Sequence, residues 1–237
     1  MLEKRSQPYQ PLLLRIIHNF QGIFVILAMI TAFWTYNTYD GRWGKILWLS
    51  DWQEIEGIHG TFGLFAMLIL PFFVIYVFHF GNKKLIQSNS ISQLKLINKP
   101  IWWYSLHRIT NTFIIFALTF SVFTGKMMDE KWLPKRELNH FWYYLHLISL
   151  IIITLAVGLH LLMSIKIGGY PLLLSMIESQ IREKDSWKSY RKKIEDYQKN
   201  WLTYIKKEWL TLPTLFQILE LIILLIIITA WVISLLK

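Results

Sequence analysis

The sequence predicts an all-α integral membrane protein: a four-helix transmembrane bundle, then an interfacial helix and a fifth transmembrane helix. Three observations carry that class. Apolar residues fall in five blocks, Leu12–Tyr36, Gly57–Phe80, Ile101–Met127, Phe141–Ile165 and Leu215–Leu236. Each block meets the roughly 20 residues that a helix needs to cross a bilayer. The chain is 54% hydrophobic and 16% aromatic, beyond the usual range of water-soluble domains, and most of its lysines and arginines flank the blocks. A net charge of +10 therefore reads as orientation signals and contacts with lipid headgroups, not as a nucleic-acid surface. With no cysteine, the chain itself holds no disulfide, Cys-ligated zinc or iron–sulfur cluster. Three units follow: the bundle at 1–168, a basic amphipathic segment at 169–212 and the fifth span at 213–237.

The fourth block organises the rest. His146 and His160 stand 14 residues apart within it, roughly 21 Å along a helix axis and only about 40° short of four whole turns. Both imidazoles leave one face, one near each membrane surface. Ionisable groups at such depth point to function, and imidazole is a common axial ligand of haem iron. A bis-histidine site then needs a second imidazole at each level, from a facing helix.

The first block carries His18 between Arg15 and Gln21, with Gly22 four residues on, along the same face. A glycine there leaves room for a flat ring system, although an interfacial histidine beside a snorkelling arginine reads equally well. Its length and the lack of a small-residue cleavage site argue against a cleavable signal peptide. The second block opens on Gly57-Ile58-His59-Gly60 and repeats the spacing at Gly63; Pro71 is expected to kink it. His79, at its end beside Gly81 and Lys83, reads as a headgroup histidine. Trp43, Trp48 and Trp52 in the first connection belong to an interfacial aromatic belt.

The third block starts at Pro100 with Trp102 and Trp103, and places His107 and Arg108 about two turns in. His107 fits three roles: axial ligand, partner of a propionate or quinone, or buried hydrogen-bonding residue. Arg108 suits a carboxylate at that level. His140 points about 240° away from His146 and lies off the ligand face. After the fourth block, Gly168, Gly169 and Pro171 break the helix. Beyond them Tyr190, Ile194, Tyr197, Trp201 and Tyr204 recur at helical spacing among basic residues, as in a helix lying on a lipid surface or docked on a partner. The fifth block holds no histidine, and Glu220 alone is out of place in it.

Lysine and arginine concentrate at the N-terminus, the second connection and the segment after 168, so the N-terminus is expected in the cytoplasm. Four alternating spans then bring His18, His107 and His160 to the cytoplasmic side, and His59 with His146 to the other. Each level offers the fourth helix a partner, giving two stacked sites, His18 with His160 and His59 with His146.

With those residues in view, the chain resembles the bacterial cytochrome b561 and nickel–iron hydrogenase cytochrome b superfamily, which includes the membrane gamma subunit of formate dehydrogenase. The resemblance covers about residues 10–168. It rests on His18 early in the first span, His59-Gly60 opening the second, His107 early in the third, and His146 and His160 in the fourth. It implies that the fourth helix gives one ligand to each of two non-covalent b haems, with His18 and His59 completing them. It further implies transmembrane electron transfer between a redox protein partner and the quinone pool, by a subunit of a membrane oxidoreductase. The expected place is the prokaryotic inner membrane, or a thylakoid membrane in a photosynthetic source. Residues 172–237 are available for a larger complex or an oligomer. A histidine-relay transporter or proton channel and a haem-free assembly subunit are the alternative classes. Truncation after about residue 170 is expected to spare both haems.

Overall fold

A computed structural model describes residues 8–128 and 138–236. Within them, the side chains at 184, 193, 197, 201, 202, 204–208 and 234 lie outside the description. Lys4, Arg5, the charges at 129–137 and the side chains of Tyr197, Trp201 and Tyr204 are therefore outside it.

The described residues form helices α1 (Leu12–Tyr39), α2 (Ile55–Phe80), a single turn α3 (Ser90–Gln93), α4 (Pro100–Met127), α5 (Phe141–Leu174), α6 (Trp187–Thr211) and α7 (Thr214–Leu236). Five of these are long and apolar enough to cross a membrane, and they coincide with the five blocks read from the sequence. The ends have local causes. Proline cannot continue a helix backwards but fits its first positions. Pro11 accordingly stands at the N-cap of α1, and Pro100 opens α4. α2 runs on through Pro71. α5 breaks at Gly169, whose φ of +63° is a left-handed backbone that glycine adopts without strain; Pro171 follows and starts a new turn. α6 is interrupted at Asn200, which breaks the 4-3-4-3 aromatic spacing into two pieces.

α1 packs closely along α2, and α4 along α5, so the bundle is two helical hairpins. Between them the contact of α1 with α5 is sparse. The core lies where the hairpins meet, around Leu70, Val74, Phe78, Ile115, Ile153 and Ala156. Outward faces carry exposed Ile16, Phe20, Ile23, Ile151 and Leu155, the surface a lipid-facing helix needs.

α7 docks against α4 and α2, burying Phe216, Ile223 and Ile227. Glu220 is buried there, and its Oε1 meets His79 Nε2 at 3.0 Å. His79 is thus not a headgroup histidine; it links α2 to the fifth span. The segment after α5 is also tied down. Arg15 donates to the carbonyls of Glu178 and Gln180, and Asn19 Nδ2 donates to the Met176 carbonyl at 2.8 Å. Tyr9 donates to Asp185 Oδ2 at 2.6 Å, and Arg182 stacks over the Tyr9 ring. A truncation meant to remove only the fifth span therefore belongs near residue 212, not near 170.

Candidate functional site: two histidine clusters along one helix

α5 presents His160 near the side where α1 begins and His146 near the other, and each ring meets a ring from the opposite hairpin. His18 of α1 faces His160 with ring centroids 6.0 Å apart and planes at 37°. His59 of α2 faces His146 at 5.9 Å and 58°. His107 of α4 lies against the same His160 at 5.9 Å, nearly parallel at 22°. Five of the five predicted histidines thus gather into a triplet and a pair.

The hydrogen bonds of these rings fix which nitrogen each has left. The Ala28 carbonyl can only accept, so His59 donates through Nδ1 (3.0 Å), with Thr31 Oγ1 at 3.3 Å. His146 Nδ1 lies 3.1 Å from Thr124 Oγ1. That hydroxyl already gives its proton to the Phe120 carbonyl, so the imidazole is the donor. His160 Nδ1 meets Asn111 Oδ1 at 2.9 Å, while the Asn111 amide donates to the Lys84 carbonyl. Each of the three rings therefore keeps Nε2 unprotonated and free. His107 is the reverse. Its Nε2, not its Nδ1, is the engaged nitrogen, 3.3 Å from Ser164 Oγ, a hydroxyl that also lies 2.7 Å from the His160 carbonyl. His18 Nδ1 is buried with no hydrogen-bond partner among the described residues.

Of the other sequence candidates, Arg108 donates Nε–H to the Lys83 carbonyl at 3.1 Å. Cβ atoms built on Gly22 and Gly63 would meet no protein atom within 4 Å. Sequence reasoning missed Thr31, Thr124, Asn111 and Ser164, and it missed Gly125. A Cβ on Gly125 would stand 3.1 Å from His146 Cε1, so this glycine seats the ring. The available signal was polar or small residues at mid-helix in apolar spans. Beyond the spans, Arg42 pairs with the buried carboxylate of Asp40 at 2.6 Å, and that hydrogen bond holds its guanidinium above the ordinary arginine range. Lys84 contacts Gln10, and desolvation lowers its ammonium below the ordinary lysine value.

Opposed imidazole rings at two levels of a membrane-spanning bundle, three of them engaged through Nδ1, are what a bis-imidazole metal centre requires. The sequence profile of the prokaryotic cytochrome b561 family matches residues 9–179, which contain all five histidines. The chain belongs to that family. No curated protein and no solved structure shows a significant match to it. Membership makes this a multi-pass membrane protein of haem-mediated transmembrane electron transfer, and it implies b-type haem.

The residues present fit that group. A metal–imidazole bond is about 2 Å long, so two opposed imidazoles on one metal stand about 6 Å apart between ring centres. The facing rings of this cytochrome are at that separation. A Nδ1 donor bond that fixes the tautomer and aims the other nitrogen is the usual support of a metal-bound histidine. Gly125→Ala is expected to tilt His146 and broaden or shift a haem signal. Electron paramagnetic resonance of the oxidised protein checks this, and an unaltered spectrum would deny Gly125 that role.

Proposed function

We propose that the cytochrome carries two b haems, one between His18 and His160 and one between His59 and His146, and passes electrons across the membrane through them. The observation that carries this reading is the tautomer pattern: His59, His146 and His160 each use Nδ1 as donor and keep Nε2 available, at two levels of one helix. When bound, each haem iron supplies a one-electron carrier that cycles between ferric and ferrous. The chain's part is to orient the imidazoles through Ala28, Thr124 and Asn111 and to keep both levels enclosed in apolar helix surface. His107, committed through Nε2 to Ser164, serves as a neighbour of His160 and not as its partner on iron.

The N-terminus lies on the cytoplasmic side in this reading, with the His18 level next to it, because basic residues concentrate on that side. Quinone is the proposed redox partner in the lipid. A cleft of about 240 Å³ opens beside the first turns of α1, between Leu12, Ile16, Phe20 and Ile23 on one wall and Met176 and Ile177 on the other. Arg15 and Asn19 give it a polar end. A soluble or membrane redox protein exchanges electrons at the opposite level. Residues 1–168 form the redox unit, 169–212 a basic segment for lipid headgroups or a partner, and 213–237 an added span.

Reduction by a quinol tests the transfer. Addition of a reduced quinone analogue to the oxidised protein in nanodiscs should develop a b-type alpha band, and Asn19→Leu should slow this several-fold. Absence of reduction by any quinol would remove quinone from the reading. The added span is tested separately. Glu220→Ala removes the buried link to His79, worth about 1–3 kcal/mol, and should lower the thermal midpoint while haem content stays unchanged. Loss of haem from that variant would make α7 part of the redox unit.

A further inference from the structure

The b haem brings two carboxylates with it, and the site on the N-terminal side has to meet them with positive charge or leave them in water. Three arginines there are already engaged. Arg15 is bound to two backbone carbonyls, Arg108 donates to the Lys83 carbonyl, and Arg182 lies over the Tyr9 ring. Lys84 differs. Its Nζ donates to Gln10 Oε1 at 2.5 Å, and it has no carboxylate partner among the described residues. Gln10 is buried at 8% exposure, so the ammonium is held by a fixed amide while its own side chain stays accessible.

Its position is set by the cluster itself. The carbonyl of Lys84 accepts from Asn111, the same residue that accepts from His160. The Ile86 amide donates to Thr112 Oγ1 at 2.9 Å, which pins the turn to α4 one residue beyond Asn111. On the other level the comparable cation, Arg42, is already neutralised by Asp40.

We propose that Lys84, steadied by Gln10, binds a propionate carboxylate of the haem held by His18 and His160. The proposal rests on that haem assignment. A charge-assisted hydrogen bond of this kind is the stronger sort. It favours the reduced haem as well, since reduction adds one negative charge and the ammonium attracts it. Desolvation opposes the Lys84 charge, and a carboxylate partner would relieve that opposition.

The experiment is a potentiometric titration of the full-length protein, with Lys84→Met and Lys84→Arg beside it. Lys84→Met should lower the midpoint of one of two haem steps and speed loss of that haem to an acceptor protein about tenfold, the equivalent of one such bond. Lys84→Arg should stay close to wild type. Reconstitution with the dimethyl ester of protohaem separates contact from general electrostatics. The ester raises the midpoint by removing negative charge beside the iron, so the comparison is made on haem retention: it should speed loss of the same haem from the wild type and add nothing to that loss in Lys84→Met, because both changes remove one interaction. Additive effects of ester and substitution on haem loss, or a Lys84→Met titration with neither step moved or both moved equally, would overturn the proposal. Absence of haem from the wild type would instead refute the underlying haem assignment.

Discussion

Replacing His146 by leucine is expected to remove one of the two proposed haems per chain and to leave the second with its spectrum intact. The size of the effect follows from geometry. His146 is half-buried, seated on Gly125 and hydrogen-bonded to Thr124 of α4. Leucine fills much of the volume but offers no lone pair, and an iron with one remaining imidazole from His59 is held far more weakly. The other level lies roughly 21 Å along the helix and shares no first contact with it. His59→Leu should produce the same loss, because its ring faces His146 at 5.9 Å and the proposal gives both to one iron. Two haems retained in either variant would break this pairing.

His18→Ala and His107→Ala should behave in opposite ways, although both rings lie about 6 Å from His160. His18→Ala empties the site on the N-terminal side. His107→Ala keeps two haems per chain and shifts only the midpoint of that side's haem or its rate of electron transfer. Hydrogen bonding distinguishes the two residues. His107 Nε2 is engaged by Ser164 Oγ at 3.3 Å, and the same hydroxyl lies 2.7 Å from the His160 carbonyl, so that nitrogen is not open to a metal. His18 Nδ1 is buried with no hydrogen-bond partner among the described residues. Haem-to-protein ratios of the purified variants check this, and the reverse pattern would transfer the axial role to the third long helix.

The spans were legible because hydrophobic length is a one-dimensional signal: each of the five blocks became a helix with ends within a few residues of those read, apart from the fourth, which runs past Ile165 to the break at Gly169. The meeting of His18 with His160 and of His59 with His146 was legible for a related reason. Helix periodicity gives depth and face, and alternating spans assign each depth to a side. What the periodicity does not give is the neighbour of a side chain on another helix. His79 read as a headgroup residue because its partner, Glu220, is 141 residues away and on the fifth span. Thr31, Thr124, Asn111 and Ser164 were passed over for the same reason, since a polar residue in an apolar helix gains meaning only from what it faces. Arg108 stood out beside His107 in sequence, yet adjacent residues on a helix point about 100° apart, and the cation brought near the cluster is Lys84 from the preceding turn. The charge of the linker was visible, whereas its clamp on α1 through Arg15, Asn19 and Tyr9 joins residues more than 150 positions apart.

The most direct test is the haem stoichiometry and spin state of the purified full-length protein, by pyridine haemochrome assay with electron paramagnetic resonance. The account predicts two b haems per chain, both low-spin and six-coordinate, as bis-imidazole ligation requires. One haem per chain, or a high-spin five-coordinate signal from either, would contradict the pairing of His18 with His160 and His59 with His146.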